Sequence, residues 1–206
     1  MLPNPLSPLI VGQWLLRLLL SFGGLILLFE WGGSYFIDLM IPLYKVVATW
    51  LTPAAYEVVD IVQVGGSRQQ YIKLITAQAE PIRYSGQLIP RGAEIESRTL
   101  RGYAFQLPII TLGLVLSWPA VALKWRLQLL LLTVPLVVMA SLLDIPFVLL
   151  GAFTDVIQFA HNPAQAPQHL LISWMRLMED AGRIALGGAL AVAIIAGHQW
   201  VLRRVR

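Results

Sequence analysis

Apolar residues fall into long blocks around one polar middle section. The block at 184–201 holds no formal charge between Arg183 and Arg203. At about 1.5 Å per residue it is long enough to cross a hydrocarbon core of about 30 Å. Arg203, Arg204 and Arg206 close it, which predicts a cytoplasmic C-terminus because basic residues beside a span are retained on that side. A first span is predicted at 14–29, with Trp14 and Trp31 at the two interfaces, Arg17 snorkelling to the inner phosphates and Glu30 at the outer end. No small-residue cleavage site follows it, so residues 1–31 read as an uncleaved signal anchor with its N-terminus inside. A second span is predicted at 105–123, with Pro108 in its first turn and Pro119 able to kink its inner end. Lys124-Trp125-Arg126 then reads as an inside turn, and 127–153 as a third span containing Pro135, Asp144 and Pro146 and long enough to tilt or break.

The sections between these blocks have other periods. Over 35–51, Asp38, Pro42, Lys45, Thr49 and Thr52 share one helical face, and Ile37, Met40, Ile41, Tyr44, Val47, Ala48 and Leu51 share the other. Residues 32–54 therefore read as an amphipathic connector helix resting on the outer membrane surface, with a docking surface as the rival reading. Residues 55–104 read as a small β-rich domain of about four short strands. Val58–Val64 and Tyr71–Ile75 are β-rich runs, Gly65-Gly66, Gly86 and Gly92 punctuate them, and 94–100 alternates Glu94, Glu96 and Arg98 against Ile95, Ser97 and Thr99. So small a domain without disulfides is marginal alone and should lean on the membrane helices or a partner. Residues 105–206 form a three-span region whose outer loop, 154–182, carries a second amphipathic segment. There Leu170, Leu171, Trp174, Leu177, Met178 and Ala181 face one way, and Ser173, Arg176, Glu179, Asp180 and Arg183 largely the other.

Composition fits an integral membrane protein: 57% of the 206 residues are hydrophobic and 13% charged, against about 25% charged in soluble domains. The net charge of +4 sits mostly in loops and flanks, as orientation requires, and nucleic acid is not an expected partner. The absence of cysteine excludes thiol nucleophiles, disulfides, Cys-ligated zinc and iron–sulfur clusters.

Asp144 is the residue that a transport or catalytic role would have to use, since an ionisable group inside a span is costly unless paired or hydrated. Structural roles are open to it: pairing with Arg183 at the outer start of the last span, or capping a chain broken at Pro146. A proton or ion site and contact with a partner subunit are the functional alternatives. Gly187 and Ala191, with Ala189, Ala193 and Gly197, give small residues that allow close helix approach, within the chain or in an assembly. His198 reads as an interhelical hydrogen-bonding residue. His161 and His169 share an outer loop but lack an acidic partner at metalloprotease spacing, and no Ser–His–Asp or phosphate-loop pattern occurs. No cofactor, metal or catalytic residue is expected.

The join Arg101-Gly102-Tyr103-Ala104-Phe105-Gln106-Leu107-Pro108-Ile109-Ile110, where the β-rich segment meets a span, resembles the Tyr/Gly–Leu–Pro join of small membrane proteins associated with exosortases. The order of elements is similar over most of the chain. That resemblance implies an assistant to a membrane sorting enzyme with no active site of its own. The enzyme itself needs a catalytic cysteine, which is lacking here. The expectation is thus an α-helical polytopic membrane protein of about four transmembrane helices, with a small extracytoplasmic β-rich domain and interfacial amphipathic helices. It would sit in the cell (inner) membrane and act as a non-catalytic accessory subunit whose partners are the bilayer and another integral membrane protein. Asp144, Arg183, Gly187, Ala191 and His198 are its candidate contact residues. A small transporter using Asp144 and a membrane-embedded enzyme using the outer histidines are the rivals.

Overall fold

A computed structural model describes residues 8–65, 69–84, 87–119, 123–161 and 169–205. Gly66, Gly86, Asn162, Pro163, Pro167 and Arg206 lie outside these. The chain runs α1 (Pro8–Leu51), β1 (Tyr56–Gly65), β2 (Gln70–Gln78), β3 (Ile82–Tyr84), β4 (Gln87–Ile89), β5 (Glu94–Leu100), α2 (Arg101–Ser117), α3 (Leu123–His161) and α4 (Leu170–Leu177). A π-helical turn (Met178–Gly182) then leads into α5 (Arg183–Val205). Among the described residues, three helical stretches are long and apolar enough to cross a membrane: Val11–Leu51, Trp125–Ala160 and Leu170–Val201.

Several boundaries differ from the sequence expectation. The connector helix is not separate, because α1 continues through Gly32-Gly33 to Leu51. Two glycines lower helix propensity by about 1 kcal/mol each, too little to stop a helix already propagating on both sides. The stop comes before Pro53, where the Thr52 N–H and hydroxyl both donate to the Ala48 carbonyl. Helix α2 ends at Ser117 rather than 123, since Trp118 precedes Pro119 and the α conformation is disfavoured before proline. Residues 124–126 lie in the first turn of α3 rather than in an inside turn, and α3 passes unbroken through Pro135 and Pro146 to His161. Asp144 therefore does not cap a chain break.

The chain divides into two compact units. The first comprises residues 1–33, 105–140 and 184–206. In it α1 meets α2 through aromatic rings at glycines: Phe29 lies 5.2 Å from Phe105, and a Cβ at Gly33 or Gly113 would strike the ring of Phe105 or Phe22. Val115, Leu129, Ala191, Ile194 and Ile195 form a core shared by α2, α3 and α5. Many leucines, among them Leu16, Leu19, Leu20 and Leu131, remain exposed, as expected of side chains that face lipid.

The second unit comprises residues 34–104 and 141–183. Its three-stranded antiparallel sheet has the order β1-β2-β5, and β3 pairs with β4 in a separate ribbon. The alternation over 94–100 appears as a buried Ser97/Thr99 face and an exposed Glu94/Glu96/Arg98 face. Gly92, at φ 83°, supplies the left-handed residue of the turn closed by Ala93 N–H donating to the Pro90 carbonyl.

The buried sheet face rests on helices. Ser97 Oγ donates to the Leu149 carbonyl of α3 at 2.9 Å, and Tyr56 packs edge-on against Phe153 at 5.1 Å. The polar face of α1 meets β1. Gln63 Nε2 donates to Asp38 Oδ1 (2.6 Å), and Lys45 Nζ donates to the Val59 carbonyl (2.7 Å) where the β1–β2 register slips between Val58 and Asp60. That β-bulge frees a carbonyl, which a helix cation then satisfies. The polar stripe of 35–51 is thus a sheet-binding face, and Ile37, Met40, Tyr44 and Ala48 beside it are buried.

Candidate functional site

The second unit holds the only carboxylate–guanidinium pair that is fully buried among the described residues. Arg183 Nε donates to Asp144 Oδ2 at 2.7 Å, and each residue is 1% exposed. Arg183 Nη1 also donates to the Met178 carbonyl at 3.0 Å, and the guanidinium carbon stands 4.8 Å from the Tyr103 ring centre. A cation, a carboxylate, a backbone carbonyl and an aromatic face therefore meet in a place closed to bulk solvent. Such a pair is costly to desolvate, and removing one partner leaves the other charge uncompensated.

Arg183 enters this centre through the π-helical turn. On a regular helix it falls with Arg176, Glu179 and Asp180 on the polar face. One extra residue in the turn rotates the next helical segment by about 100°. The buried face becomes Ile172, Met175, Met178, Gly182 and Arg183. This corrects the expected apolar face, since Leu170 and Leu177 are exposed. Gly182 permits the turn, because a Cβ there would lie 2.6 Å from the Leu177 carbonyl oxygen. Deleting Ala181 removes the extra residue, so a regular α-helix would then place Arg183 four residues after Met178, about 40° from it, and keep the guanidinium at Asp144. The deletion should therefore cost much less thermal stability than Arg183→Met, and Arg183→Met should lower Tm in the deletion variant about as much as in the wild type. A deletion variant that melts like Arg183→Met would refute the rotation.

Within the pair, Asp144 Oδ1 and Arg183 Nη2 are buried without a hydrogen-bond partner among the described residues, as are Tyr44 Oη on α1 and Ser141 Oγ, which lies one turn before Asp144 on α3. Tyr44 does not stand out in the sequence, and Tyr103 does so only as part of the join at 101–110, not as a partner of Arg183. A tyrosine on an apolar helical face reads as packing, and only burial without a hydroxyl partner marks Tyr44.

The other candidate residues lie elsewhere. In the first unit, Thr111 Oγ1 donates to the Gly187 carbonyl at 3.2 Å, and a Cβ at Gly187 would touch Ile110 at 3.1 Å. Gly187 and Ala191 are thus used within the chain, whereas Ala189, Ala193 and Gly197 are exposed. His198 lies 5.7 Å from the Trp125 ring. In the second unit, His169 Nδ1 accepts from the Leu171 N–H as the N-cap of α4, and His161 is the last residue of α3. Among the described residues no group of three His, Asp or Glu could hold a metal ion. A polar cleft of 150 Å³ is lined by Ser34, Gln63, Val64, Gly65, Gln70 and Arg101, with Arg101 Nη1 donating to Ser34 Oγ at 2.9 Å. Compared with known proteins, the chain matches no protein family, no curated protein and no solved structure.

Proposed function

We propose that this protein is a non-catalytic accessory or assembly subunit of a bacterial-type envelope membrane complex, in protein sorting or export. The observation that carries this reading is the use of Asp144 inside the fold. Its carboxylate is held by Arg183 at 2.7 Å, and Arg183 is engaged by Met178 and Tyr103. A buried ion pair of this kind supports architecture, whereas a translocation residue needs a path for its ion. The surface left for contact is apolar: Tyr35, Leu39, Leu43, Val46 and Trp50 form an exposed stripe along α1. In this reading α2 is a fourth span, both termini are cytoplasmic and the sheet is extracytoplasmic. Arg204 over the Trp200 ring (3.7 Å) is the inner interfacial anchor.

Partner capture is the test of the role. The tagged chain, purified from its native membrane in mild detergent, should carry another integral membrane protein at fixed stoichiometry, and recovery as a lone monomer or homo-oligomer would overturn the role. Topology is testable separately because the chain has no native cysteine. Glu57→Cys should react with an impermeant maleimide in intact cells, and Arg204→Cys only after lysis. The reverse pattern would invert the orientation.

A transporter using Asp144 is the second reading, favoured by the unpartnered polar atoms within the pair. On that reading Asp144→Asn abolishes flux in proteoliposomes while the protein stays folded.

A further inference from the structure

The polar cleft of the second unit draws its walls from four elements. Ser34 comes from α1, Gln63, Val64 and Gly65 from β1, Gln70 from β2, and Arg101 from the first position of α2. Hydrogen bonds sort its polar groups by sign. Gln63 Nε2 donates to the Ser34 carbonyl at 3.0 Å and to Asp38 Oδ1 at 2.6 Å. Both amide hydrogens are thereby spent on acceptors that α1 presents, and Asp38 itself stays outside the lining. Arg101 Nη1 donates to Ser34 Oγ at 2.9 Å. The Ser34 hydroxyl, having accepted, keeps its own hydrogen to give, and a guanidinium only donates. Gln70, exposed at the start of β2, can turn its amide N–H groups inward.

Among the described residues that line the cleft, Arg101 carries the one formal charge. A guest that suits this lining is an anionic acceptor small enough for 150 Å³. Phosphate and phosphate esters meet that description, and the planar fork of arginine matches their paired oxygens. The cleft also lies where such groups are concentrated. Ser34 follows the apolar span 14–29 by five residues, and Arg101 precedes Phe105, where the apolar block of α2 begins, by four. Either distance is about 6–8 Å along a helix, and the headgroup layer extends about 5–7 Å beyond the hydrocarbon core on each side. This location rests on the membrane placement in the reading above and is independent of the accessory role.

We infer that the cleft is a binding site for a phosphate group, with Arg101 as its principal contact and Ser34 and Gln70 as further donors. The phosphate belongs to a phospholipid headgroup or is the free ion, and the two sources are separable by experiment.

Fluorescence-detected melting of the full chain in mild detergent tests the site in two arms. In one, inorganic phosphate replaces chloride at constant ionic strength. In the other, the micelles are doped with phosphatidylglycerol, and diacylglycerol with the same chains is the phosphate-free control. A ligand that binds the folded state raises Tm, and a rise of several degrees is expected with phosphatidylglycerol. A rise with inorganic phosphate alone would keep the site and remove its headgroup location. In either arm Arg101→Gln and Gln70→Glu should abolish the rise, whereas Arg91→Gln, which removes an exposed charge elsewhere, should retain it. Gln70→Glu puts a carboxylate at the cleft and leaves the Gly65–Gln70 backbone pairing in place, so it decides the matter if Arg101→Gln folds poorly. No rise in either arm, a rise that Gln70→Glu keeps, or one that Arg91→Gln loses equally, would overturn the site.

Discussion

Asp144→Ala is expected to cost about 3–5 kcal/mol of stability, the range for leaving one member of a buried ion pair unpaired. Domains are stable by only about 5–15 kcal/mol, so most of the folded population should be at risk. The size of the effect comes from burial. Both residues are 1% exposed, so bulk water cannot enter to solvate the remaining guanidinium, which the Met178 carbonyl and Tyr103 ring only partly compensate. The exposed pairs Lys45–Asp60 and Lys73–Glu96 are expected to contribute about 0–1 kcal/mol each, so Lys73→Met should barely move Tm. The double variant Asp144→Leu/Arg183→Met removes both charges and replaces them with apolar volume. It should recover most of the loss, as buried pairs often tolerate such replacement. Fluorescence-detected melting in detergent over the three variants measures the effect, and a double variant no more stable than Asp144→Ala would show that the pair does more than neutralise itself.

Gly151→Val should be nearly as damaging, through packing alone. A Cβ at Gly151 would lie 2.4 Å from the Leu171 carbonyl oxygen and 2.7 Å from Met175 Cβ. These atoms belong to the backbone of α4 and the first carbon of a side chain, so no rotamer change relieves the overlap, and α4 must separate from α3. Overpacking of a close contact typically costs about 1–3 kcal/mol, and the upper end is expected because Ile172 and Met175 lose their burial together with the displaced helix. Gly24→Val is the control, since nothing lies within 4 Å of a Cβ at Gly24. A Gly151→Val protein that melts with wild type would contradict the α3–α4 packing.

Local pattern was readable where one period governs a segment. The two-residue alternation of Glu94 to Thr99 is β5, and the valine- and isoleucine-rich runs before it are β1 and β2. Long apolar blocks likewise mark the three helices that can span a membrane. Continuity was harder to read, because Gly32-Gly33 resembles a break until Phe105 is seen against Gly33. Asp144 and Arg183 stand out as charges beside apolar blocks, and the fold brings them to 2.7 Å. What a helical wheel cannot contain is the extra residue of the π turn, which moves Arg183 from the polar face into the interior. Tyr103 was illegible as a partner of Arg183 for another reason: that contact depends on which helix lies opposite, and nothing in its own sequence neighbourhood encodes it.

In the proposed role, the charges of Asp144 and Arg183 serve the architecture of an accessory subunit and nothing outside it. Partner co-purification from native membranes, with the Asp144→Leu/Arg183→Met chain in place of the wild type, probes this without intermediate steps. The expected result is a folded double variant that retains the same membrane partner at the same stoichiometry. A double variant that melts like wild type yet loses the partner would contradict the role, because the charges would then be acting on something outside the fold.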